Sequence, residues 1–425
     1  MRRFTPPYFF MLQKHKMMKN IITFIFLALT LNMYGQSGCT DAHAMNYDNT
    51  AEVNDGSCLY EPVIVDPNLI VDELPAIIQE TSGLIYYNDG LWTHNDSGGA
   101  ARIFKINPKT GAILQTIGIT NGRNFDIEDI TQDEDYIYVG DFGNNYGNRD
   151  DLTIYKLKKS DIPAEESTDV TAEIIRFSFN DQTDFTPKNR NNDYDCESVM
   201  SFGNHLYVFT KNWANQQTRS YKIPKEAGEY AVDVHESFNV RGLITGADYH
   251  AEKNAVVLIG YENFVPFMWV IWDFSDDHFF AGNKKRVDFA NISGAQTEGI
   301  CFINKDEVMI SCEQSYYPPQ VYQLNIESII DGTGELQAFN PIKIVLSPNP
   351  ERDKINIAID GLERGKFDVE VYNLQWQKIN QYHFIEKNTS ETIHITIPTT
   401  KLLRGIYFVK VREGKKVGFQ KFVTL

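Results

Sequence analysis

The sequence predicts an all-β protein, in which a five-bladed β-propeller is followed by a small C-terminal β-sandwich. Short strand patterns occur in groups of about four between residues 81 and 330. The groups align at Ser82, Glu128, Glu197, Gly246 and Glu298, which lie 46, 69, 49 and 52 residues apart. Groups of four strands at such a period are typical of propeller blades. Aromatic residues make up 13% of the chain, and aromatic side chains favour strands over helices. The last 80 or so residues carry six or seven further strand patterns, as a small sandwich requires.

Composition limits the classes of function. The chain has 425 residues, 42% of them hydrophobic, which is enough for two or three domains with their own cores. Its formal net charge is −17, so the basic surface that nucleic acids need is missing. An acidic surface is compatible with export or with cation binding, but it is specific for neither.

Residues 1–36 are predicted to be a secretory signal peptide. Lys19 supplies positive charge, and residues 21–31 form an apolar run that is too short to span a bilayer comfortably. The upstream basic residues form a long leading region, unless Met17 or Met18 is the true start. We expect no integral membrane segment after cleavage of this peptide.

Residues 37–61 form a small module bracketed by two cysteines. The segment has almost no apolar content, so it cannot build a core of its own. A Cys39–Cys58 disulfide is the physical solution in an oxidising compartment, and it would remove roughly 3 kcal/mol of unfolded-state entropy.

This module resembles the Gly-Cys-Thr-Asp…Asp-Gly-Ser-Cys unit found in secreted bacterial surface proteins. Its side-chain oxygens could bind Ca²⁺, or they could shape the loops as Asx turns, which is the reading we favour. The residues concerned are Asp41, Asn46, Asp48 and Asp55.

Residues 62–333 are assigned to the propeller. The predicted first strands of the five units lie at 81–87, 127–130, 196–200, 244–248 and 297–302. The fifth unit lacks a fourth strand, and residues 63–78 are expected to supply it, which would close the ring without an open edge. A sixth, degenerate blade remains open if the insertions near 160–170 and 181–195 hide one. The alternative to a propeller is a sandwich or several small sheets.

Residues 334–341 read as a linker, and residues 342–425 form the predicted sandwich. The motifs Ser-Pro-Asn-Pro at 347–350, Val-Tyr-Asn-Leu at 371–374 and Leu-Arg-Gly-Ile-Tyr-Phe-Val-Lys-Val at 403–411 stand in this segment. In these motifs it resembles, along its whole length, the type IX secretion sorting domain of Bacteroidota. Trp376 replaces a usual glycine, which is a mild departure.

The resemblance implies passage through the periplasm, recognition by the type IX machinery, and secretion or display on the outer cell surface. It also implies that this domain is usually removed. The residues that carry the sorting motifs are Pro348, Asn349, Pro350, Gly405, Tyr407 and Lys410.

Propeller geometry predicts a ligand-binding mouth. Loops that lead into first strands and loops that follow second strands open at the same end of a propeller, where polar and aromatic groups then converge. The first set contributes Glu128, Glu197 and Glu298. The second set contributes Asp96, Asp141, Asn145, Trp213 and Glu313.

Three glutamates near one axis repel each other unless a cation, a proton or a basic group balances them. No cofactor is certain from the sequence, but Ca²⁺ held by Glu128, Glu197 and Glu298 is one solution. In the alternative, each glutamate accepts backbone N–H groups from the neighbouring blade and has a structural role.

Three functions remain open. The leading hypothesis is an exported, non-enzymatic propeller that binds a ligand or protein partner at this mouth. A faint resemblance to phytase-like and lactonase-type propellers, through Glu-Asp-Ile at 128–130 and Glu-Gly-Ile at 298–300, supports a calcium-dependent esterase or phosphatase as the alternative. A surface adhesion scaffold is the third. Cys301 and Cys312 could form a second disulfide, although buried free thiols are the simpler expectation.

Overall fold

The computed structural model describes residues 35–61, 63–331, 337–338, 342–350, 353–362, 365–373, 377–385, 392–414 and 416–424. Nearly all of the predicted signal peptide and most of the predicted linker fall outside these ranges. The described helices are one α-helix, Glu327–Asp331, and four 3-10 helices, Ala76–Ile78, Lys159–Asp161, Phe279–Ala281 and Ala290–Ile292. None of the helices in the described residues is long and apolar enough to cross a membrane.

Five antiparallel sheets form the blades of a propeller, each with four strands running from the axis outward. Blade 1 contains Ile85–Tyr87, Gly90–Thr93, Arg102–Ile106 and Ile113–Ile119. Blade 2 contains Ile127–Gln132, Tyr136–Asp141, Leu152–Lys158 and Glu173–Phe179. Blade 3 contains Cys196–Phe202, His205–Thr210, Thr218–Pro224 and Val234–Phe238. Blade 4 contains Leu243–His250, Ala255–Glu262, Val265–Trp272 and Asn283–Asp288, and blade 5 contains Gln296–Asn304, Glu307–Glu313, Gln320–Asn325 and Asn68–Val71.

The ring is closed by a strand from the other end of the propeller sequence. Asn68–Val71 pairs antiparallel with Gln320–Asn325 and supplies the fourth strand of blade 5. A second early strand, Val63–Ile64, lies parallel to the outer strand of blade 4, and Gln337–Ala338 pairs with it in turn. The chain therefore enters and leaves the propeller at neighbouring blades, and the expected closure is present.

Two further strands extend existing blades, and the first of them lies in the insertion near 160–170. Thr168–Val170 runs parallel to the outer strand of blade 1, and Gly228–Val232 runs parallel to the outer strand of blade 2. Each covers an edge that would otherwise expose unpaired backbone groups. The described part of the chain thus has five blades, and the insertions build no sixth one.

Apolar residues on both faces of the strands hold the blades together. Six consecutive residues of blade 4, from Ala255 to Gly260, are all buried because a neighbouring blade covers each face of the sheet. Between blades 1 and 2, for example, Trp92 and Ile103 share one core cluster with Val139 and Leu157.

Buried polar groups also link the inner strands of neighbouring blades. A carboxylate oxygen of Asp129 in blade 2 accepts a hydrogen bond from the Val199 N–H in blade 3, at 2.8 Å. Asp248 in blade 4 accepts one from the Phe302 N–H in blade 5, also at 2.8 Å. The role that the sequence offered to the mouth glutamates, accepting N–H groups of the next blade, is therefore filled by these two aspartates.

The disulfide module packs against the outer side of blade 4. Cys39 and Cys58 are bonded, and Ser37–Gly38 pairs in parallel with Val53–Asn54. The Tyr60 ring lies 5.4 Å from the Trp272 ring, centre to centre, and the Asn54 amide donates to Asn283 Oδ1 at 2.7 Å. The module is thus stapled internally and fixed to the propeller.

Carboxylates of the module are engaged in turns. Asp41, Asp48 and Asp55 each accept the backbone N–H of the residue two positions later, at 2.8, 2.8 and 3.0 Å. Both side-chain groups of Asn46 bond backbone atoms of the module. These contacts are those of Asx turns, and binding of Ca²⁺ by the same oxygens stays a prediction. Farther along, Cys301 and Cys312 are buried free thiols, so no second disulfide joins them.

The C-terminal domain is a sandwich of two antiparallel sheets. One sheet contains Lys343–Ser347, Lys354–Asp360 and Ile393–Pro398, and the other contains Lys366–Asn373, Lys378–Ile385, Gly405–Glu413 and Lys416–Thr424. Both sheets contribute to one apolar core.

Two of the motif residues in this domain bond its last strand, and a third bonds the loop before its own strand. The Asn349 side chain accepts the Val423 N–H at 3.0 Å and donates to the Lys421 carbonyl at 3.3 Å. The Gly405 N–H donates to Thr424 Oγ1 at 3.0 Å. The Tyr407 hydroxyl donates to the Leu403 carbonyl, also at 3.0 Å.

Replacing Asp248 with Asn should change how stability depends on pH. Burial raises the pKa of Asp248 to about 7, whereas an unfolded aspartate titrates near 3.9. Between these values the folded protein retains a proton that the unfolded chain releases, so this group makes stability fall as pH rises from about 4 to about 7. We expect the stability of Asp248→Asn to fall less between pH 4 and pH 7 than that of the wild type. At pH 8 its urea midpoint should be higher than that of the wild type. An unchanged pH profile of the urea midpoint would contradict this account.

Candidate functional site

The propeller has a cavity of about 480 Å³ at the end where first strands begin and second strands finish. We call this cavity the mouth. It is lined by seven of the eight residues that the sequence places there, namely Asp96, Glu128, Asn145, Glu197, Trp213, Glu298 and Glu313. The eighth, Asp141, supports the wall instead, because it pairs with Arg149 at 3.2 Å and accepts the Asp126 N–H at 3.1 Å.

A repeated β-bulge places the mouth glutamates. In blades 2, 3 and 5, the pairing of the first strand with the second skips one residue, and that residue is Glu128, Glu197 or Glu298. A bulge bends the strand and redirects the extra side chain. Blade 4 has the same bulge at Thr245, so Thr245, and not Gly246 as the sequence alignment suggested, is the equivalent position. At Gly246 any Cβ would collide with the Glu298 carbonyl, which explains the glycine there.

Three carboxylates form a group at one side of the mouth. Asp96, Asp126 and Glu128 each offer an oxygen, and these atoms lie within 4.8 Å of one another. The Ile127 N–H donates to the Asp96 carbonyl at 3.2 Å, which joins the loop of blade 1 to the start of blade 2. The sequence did not identify Asp126, although its spacing of two residues from Glu128 places both on one side of an extended segment.

Gly143 closes this group from behind. Its N–H donates to the Asp126 carbonyl at 3.1 Å. A Cβ at this position would collide with carboxylate oxygens of both Glu128 and Asp126. The backbone can therefore approach the two carboxylates only because residue 143 is glycine.

Ionisation of the carboxylates in this group is unfavourable, because they are buried and lie close to one another. Glu128 is only 4% exposed, and its carboxylate has no hydrogen-bond donor among the described residues. Burial, together with the charges of Glu197 and Asp96, raises the pKa of Glu128 well above its usual range. Burial and the nearby Asp126 raise the pKa of Asp96 to about 7. Burial and the charge of Asp195 raise the pKa of Asp126 to about 6.

Lys211 is the buried cation of the mouth. Its ammonium lies 3.1 Å from a Glu197 carboxylate oxygen, and both side chains are buried. It also lies 5.0 Å from the Trp213 ring centre and 5.4 Å from that of Tyr261. Burial alone would lower the pKa of Lys211, but the charge of Glu197 outweighs burial and raises it well above its usual range.

The three glutamates therefore differ in their partners. Glu197 pairs with Lys211, while Glu298 accepts the Gln296 amide at 2.9 Å and keeps its other oxygen buried without a hydrogen bond. The structure groups Glu128 with Asp96 and Asp126 rather than with Glu197 and Glu298. None of the groups of ligand atoms within 4.8 Å of one another among the described residues contains all three glutamates, so a metal site made by Glu128, Glu197 and Glu298 stays a prediction.

The wall of the mouth is rigid around Trp213. The indole N–H donates to Asp195 Oδ2 at 2.6 Å, and Asp195 Oδ1 accepts the Asn144 N–H at 2.6 Å. This chain of bonds fixes the ring between blades 2 and 3. A fixed aromatic side chain beside carboxylates is a common arrangement in ligand sites.

Within the described ranges, one other group of potential metal ligands lies outside the mouth, and it consists of His235, Asp277 and His278. Asp277 Oδ2 already accepts hydrogen bonds from the Lys222 ammonium and the Tyr207 hydroxyl, both at 2.6 Å. We interpret this group as an ion-paired link between blades 3 and 4.

Removing the Lys211 cation should destabilise the propeller. Lys211→Met would leave Glu197 buried without its partner, and breaking such a pair typically costs about 3–5 kcal/mol. Glu197→Gln in the same chain should restore much of that loss, since the unpaired charge is then gone. Urea unfolding of the single and double variants measures both effects. A single variant as stable as the wild type would show that Glu197 does not need this cation.

Two solved structures resemble the chain at low sequence identity. An exo-β-1,3-galactanase from Phanerochaete chrysosporium is 8% identical, with 80% of this chain and 95% of that chain covered and a TM-score of 0.38. A GH43_1 enzyme from Xanthomonas citri is 10% identical, with 61% and 89% covered and a TM-score of 0.35. These values carry no argument about function. No curated protein matches the sequence.

The C-terminal domain gives the informative match. Residues 346–424 match the family model described as a secretion system C-terminal sorting domain. The match covers the segment in which the sequence motifs were found, and it indicates export to the cell surface or the medium. The chain therefore carries a type IX secretion C-terminal sorting domain and is an exported β-propeller protein.

Proposed function

We propose that this exported protein is a binding protein, and that its mouth holds a Ca²⁺ ion through Asp96, Asp126 and Glu128. The observation that carries the proposal is the grouping of three carboxylate oxygens, from the loops of two blades, within 4.8 Å of one another. They meet at the edge of a cavity large enough for a small ligand.

The distances suit calcium. Ca²⁺ binds oxygen atoms at 2.3–2.6 Å, so two ligands on opposite sides of one ion lie up to about 5 Å apart. Calcium takes six to eight oxygen ligands, and three carboxylates would leave positions free for water or for a ligand in the mouth.

The charges of the side chains around the mouth also favour a bound Ca²⁺ ion. Asp96, Asp126, Glu128, Glu298 and Glu313 form no ion pair among the described residues, and the buried cation Lys211 is already committed to Glu197. A divalent cation would relieve the repulsion that raises the pKa values of these carboxylates. The approach of Gly143 leaves no space for a side chain at that position. The Arg149 guanidinium, whose charge partly offsets the rise in the pKa of Asp126, forms its ion pairs with Asp141 and Asp151.

The ligand class follows from the neighbouring groups. Free coordination positions on Ca²⁺ bind oxygen atoms, and the aromatic side chains of Trp213 and Tyr261 line the same cavity. We expect a ligand with hydroxyl or carboxylate oxygens at one end and an apolar face at the other.

Calcium should bind and stabilise the full chain, and Asp126→Asn should remove most of that effect. A ligand of the folded state at 100 times its Kd stabilises by about 2.7 kcal/mol. Calorimetric titration and thermal unfolding with and without Ca²⁺ measure binding and stabilisation. Asp135→Asn is the matched control, because Asp135 is an exposed acid at the opposite end of the same blade.

Two results would contradict the proposal. If Asp126→Asn and the control Asp135→Asn bind calcium with equal affinity, the ion binds elsewhere in the chain. Calcium-dependent hydrolysis of p-nitrophenyl acetate or phosphate, lost in Asp126→Asn, would instead establish the hydrolase.

Gly143→Ala should weaken calcium binding without changing any charge. The new methyl group would collide with carboxylate oxygens of Glu128 and Asp126 and move them apart. Gly405→Ala controls for the general effect of a glycine substitution, since a Cβ there meets only the Tyr407 ring at 3.7 Å, which is an ordinary contact. The same titration measures the effect, and unaltered affinity in Gly143→Ala would show that these two oxygens do not share an ion.

A further inference from the structure

One strand of the sorting domain is buried on both faces. Along Gly405–Glu413, Tyr407, Val409 and Val411 belong to the sandwich core. Side chains alternate along a strand, so Phe408 and Lys410 point away from that core. They are nevertheless only 4% and 5% exposed. Something outside the sandwich must bury them.

The propeller supplies that cover. The Phe408 ring lies 4.6 Å from the Phe264 ring in an edge-to-face arrangement. The Lys410 ammonium lies 4.4 Å from the centre of the Tyr316 ring. On the neighbouring strand, the Tyr372 hydroxyl is 3.2 Å from the Tyr316 hydroxyl.

These contacts lie directly at the mouth. Phe264 stands in the turn after the second strand of blade 4, and Tyr316 stands in the loop after the second strand of blade 5. Four residues of the sorting domain line the mouth together with its carboxylates, namely Ile406, Phe408, Gln420 and Lys421.

We propose that the sorting domain is a lid, in the same chain, which covers the propeller mouth and restricts access to it until the domain is displaced or removed. What the mouth binds rests on the proposed function. The cover itself rests on the contacts of Phe264, Tyr316 and Phe408.

The backbone at Phe264 supports a specific role for its ring. Phe264 has φ +65°, in a two-residue turn with Asn263 at φ +49°. Glycine or asparagine is usual in this conformation, and a bulky aromatic residue there costs free energy. The strained position holds the ring against Phe408, so the strain coincides with the contact between the domains.

The charged groups near the contact have partners within their own domains, so the sorting domain can separate from the propeller without breaking an ion pair. Glu370, which is buried on the same face as Tyr372, accepts hydrogen bonds from Lys378 and Tyr372 of its own domain, at 3.0 and 2.9 Å. The Arg286 guanidinium, on the propeller side, pairs with Asp288 and Glu262 of its own domain, at 2.9 and 2.7 Å. Separation therefore exposes aromatic surface without leaving a buried charge unpaired.

Carboxyl footprinting of the full chain tests the lid. A water-soluble carbodiimide with glycine ethyl ester modifies accessible carboxylates, and peptide mass spectrometry reads the extent at each site. We expect Phe264→Gly and Phe408→Ala to increase modification of Asp96 and Glu128 several-fold over the wild type, with no change at the distant Asp135. Leu403→Ala is the control, because Leu403 is 81% exposed in the same domain.

Phe264→Gly carries the test if Phe408→Ala fails to fold, since glycine relaxes the strained turn. Equal modification of the mouth carboxylates in the wild type, Phe264→Gly and Leu403→Ala would overturn the lid. Calcium is not needed for this experiment. If the variants increase modification but the chain binds no calcium, the lid stands and the calcium proposal fails. If the chain binds calcium but the variants do not increase modification, the calcium proposal stands and the lid fails.

Discussion

The geometry of the mouth depends on one backbone pairing, that of Asn68–Val71 with Gln320–Asn325. Blades 1 and 5 stand at opposite ends of the propeller sequence, and this pairing is part of what makes them neighbours. Asp96 comes from blade 1, whereas Glu298 and Glu313 come from blade 5, and all three line one cavity only in the closed ring. A backbone bond from the Gln314 N–H to the Gln79 carbonyl, at 2.8 Å, ties the two ends again beside the mouth. Closure therefore sets the site as well as the fold.

Closure of the ring also brings several carboxylates close together, and only some of them have a cation or a hydrogen-bond donor beside them. The bulges in blades 2, 3 and 5 direct three glutamates to the same end of the ring, and like charges at short range disfavour ionisation. Lys211 forms an ion pair with Glu197, and the Gln296 amide donates a hydrogen bond to Glu298. The Glu128 carboxylate receives no such donor among the described residues, and the close approach of Gly143 leaves no space for a side chain that could supply one. That uncompensated charge is more consistent with a group that receives a ligand than with one that only supports the fold, since a structural carboxylate such as Asp129 has its donors in place.

Local patterns in the sequence predicted the number of blades, the closing strand and the end of the propeller that collects the mouth residues. They did so because strand spacing and turn chemistry are local, and a propeller repeats them. The partners inside the mouth could not be predicted in the same way. The pairing of Lys211 with Glu197, and the grouping of Asp126 with Asp96 of another blade, depend on distances across the ring. The bulge position was missed for a related reason: one extra residue in a strand shifts the register, so blade 4 was aligned at Gly246 instead of Thr245.

The docking of the sorting domain did leave a signal in the sequence. Tyr-Phe-Val-Lys-Val at 407–411 has large side chains on both faces of one strand, whereas a sheet with one solvated face alternates apolar and polar residues. In Ile393–Pro398 of the opposite sheet, buried and exposed residues do alternate, whereas in Gly405–Glu413 the five residues 407–411 are all buried. A second buried face requires a second cover, and here that cover is the rim of the mouth. Motif residues such as Lys410 therefore belong to a surface that the propeller occupies, and a partner that binds this surface must compete with the mouth for it.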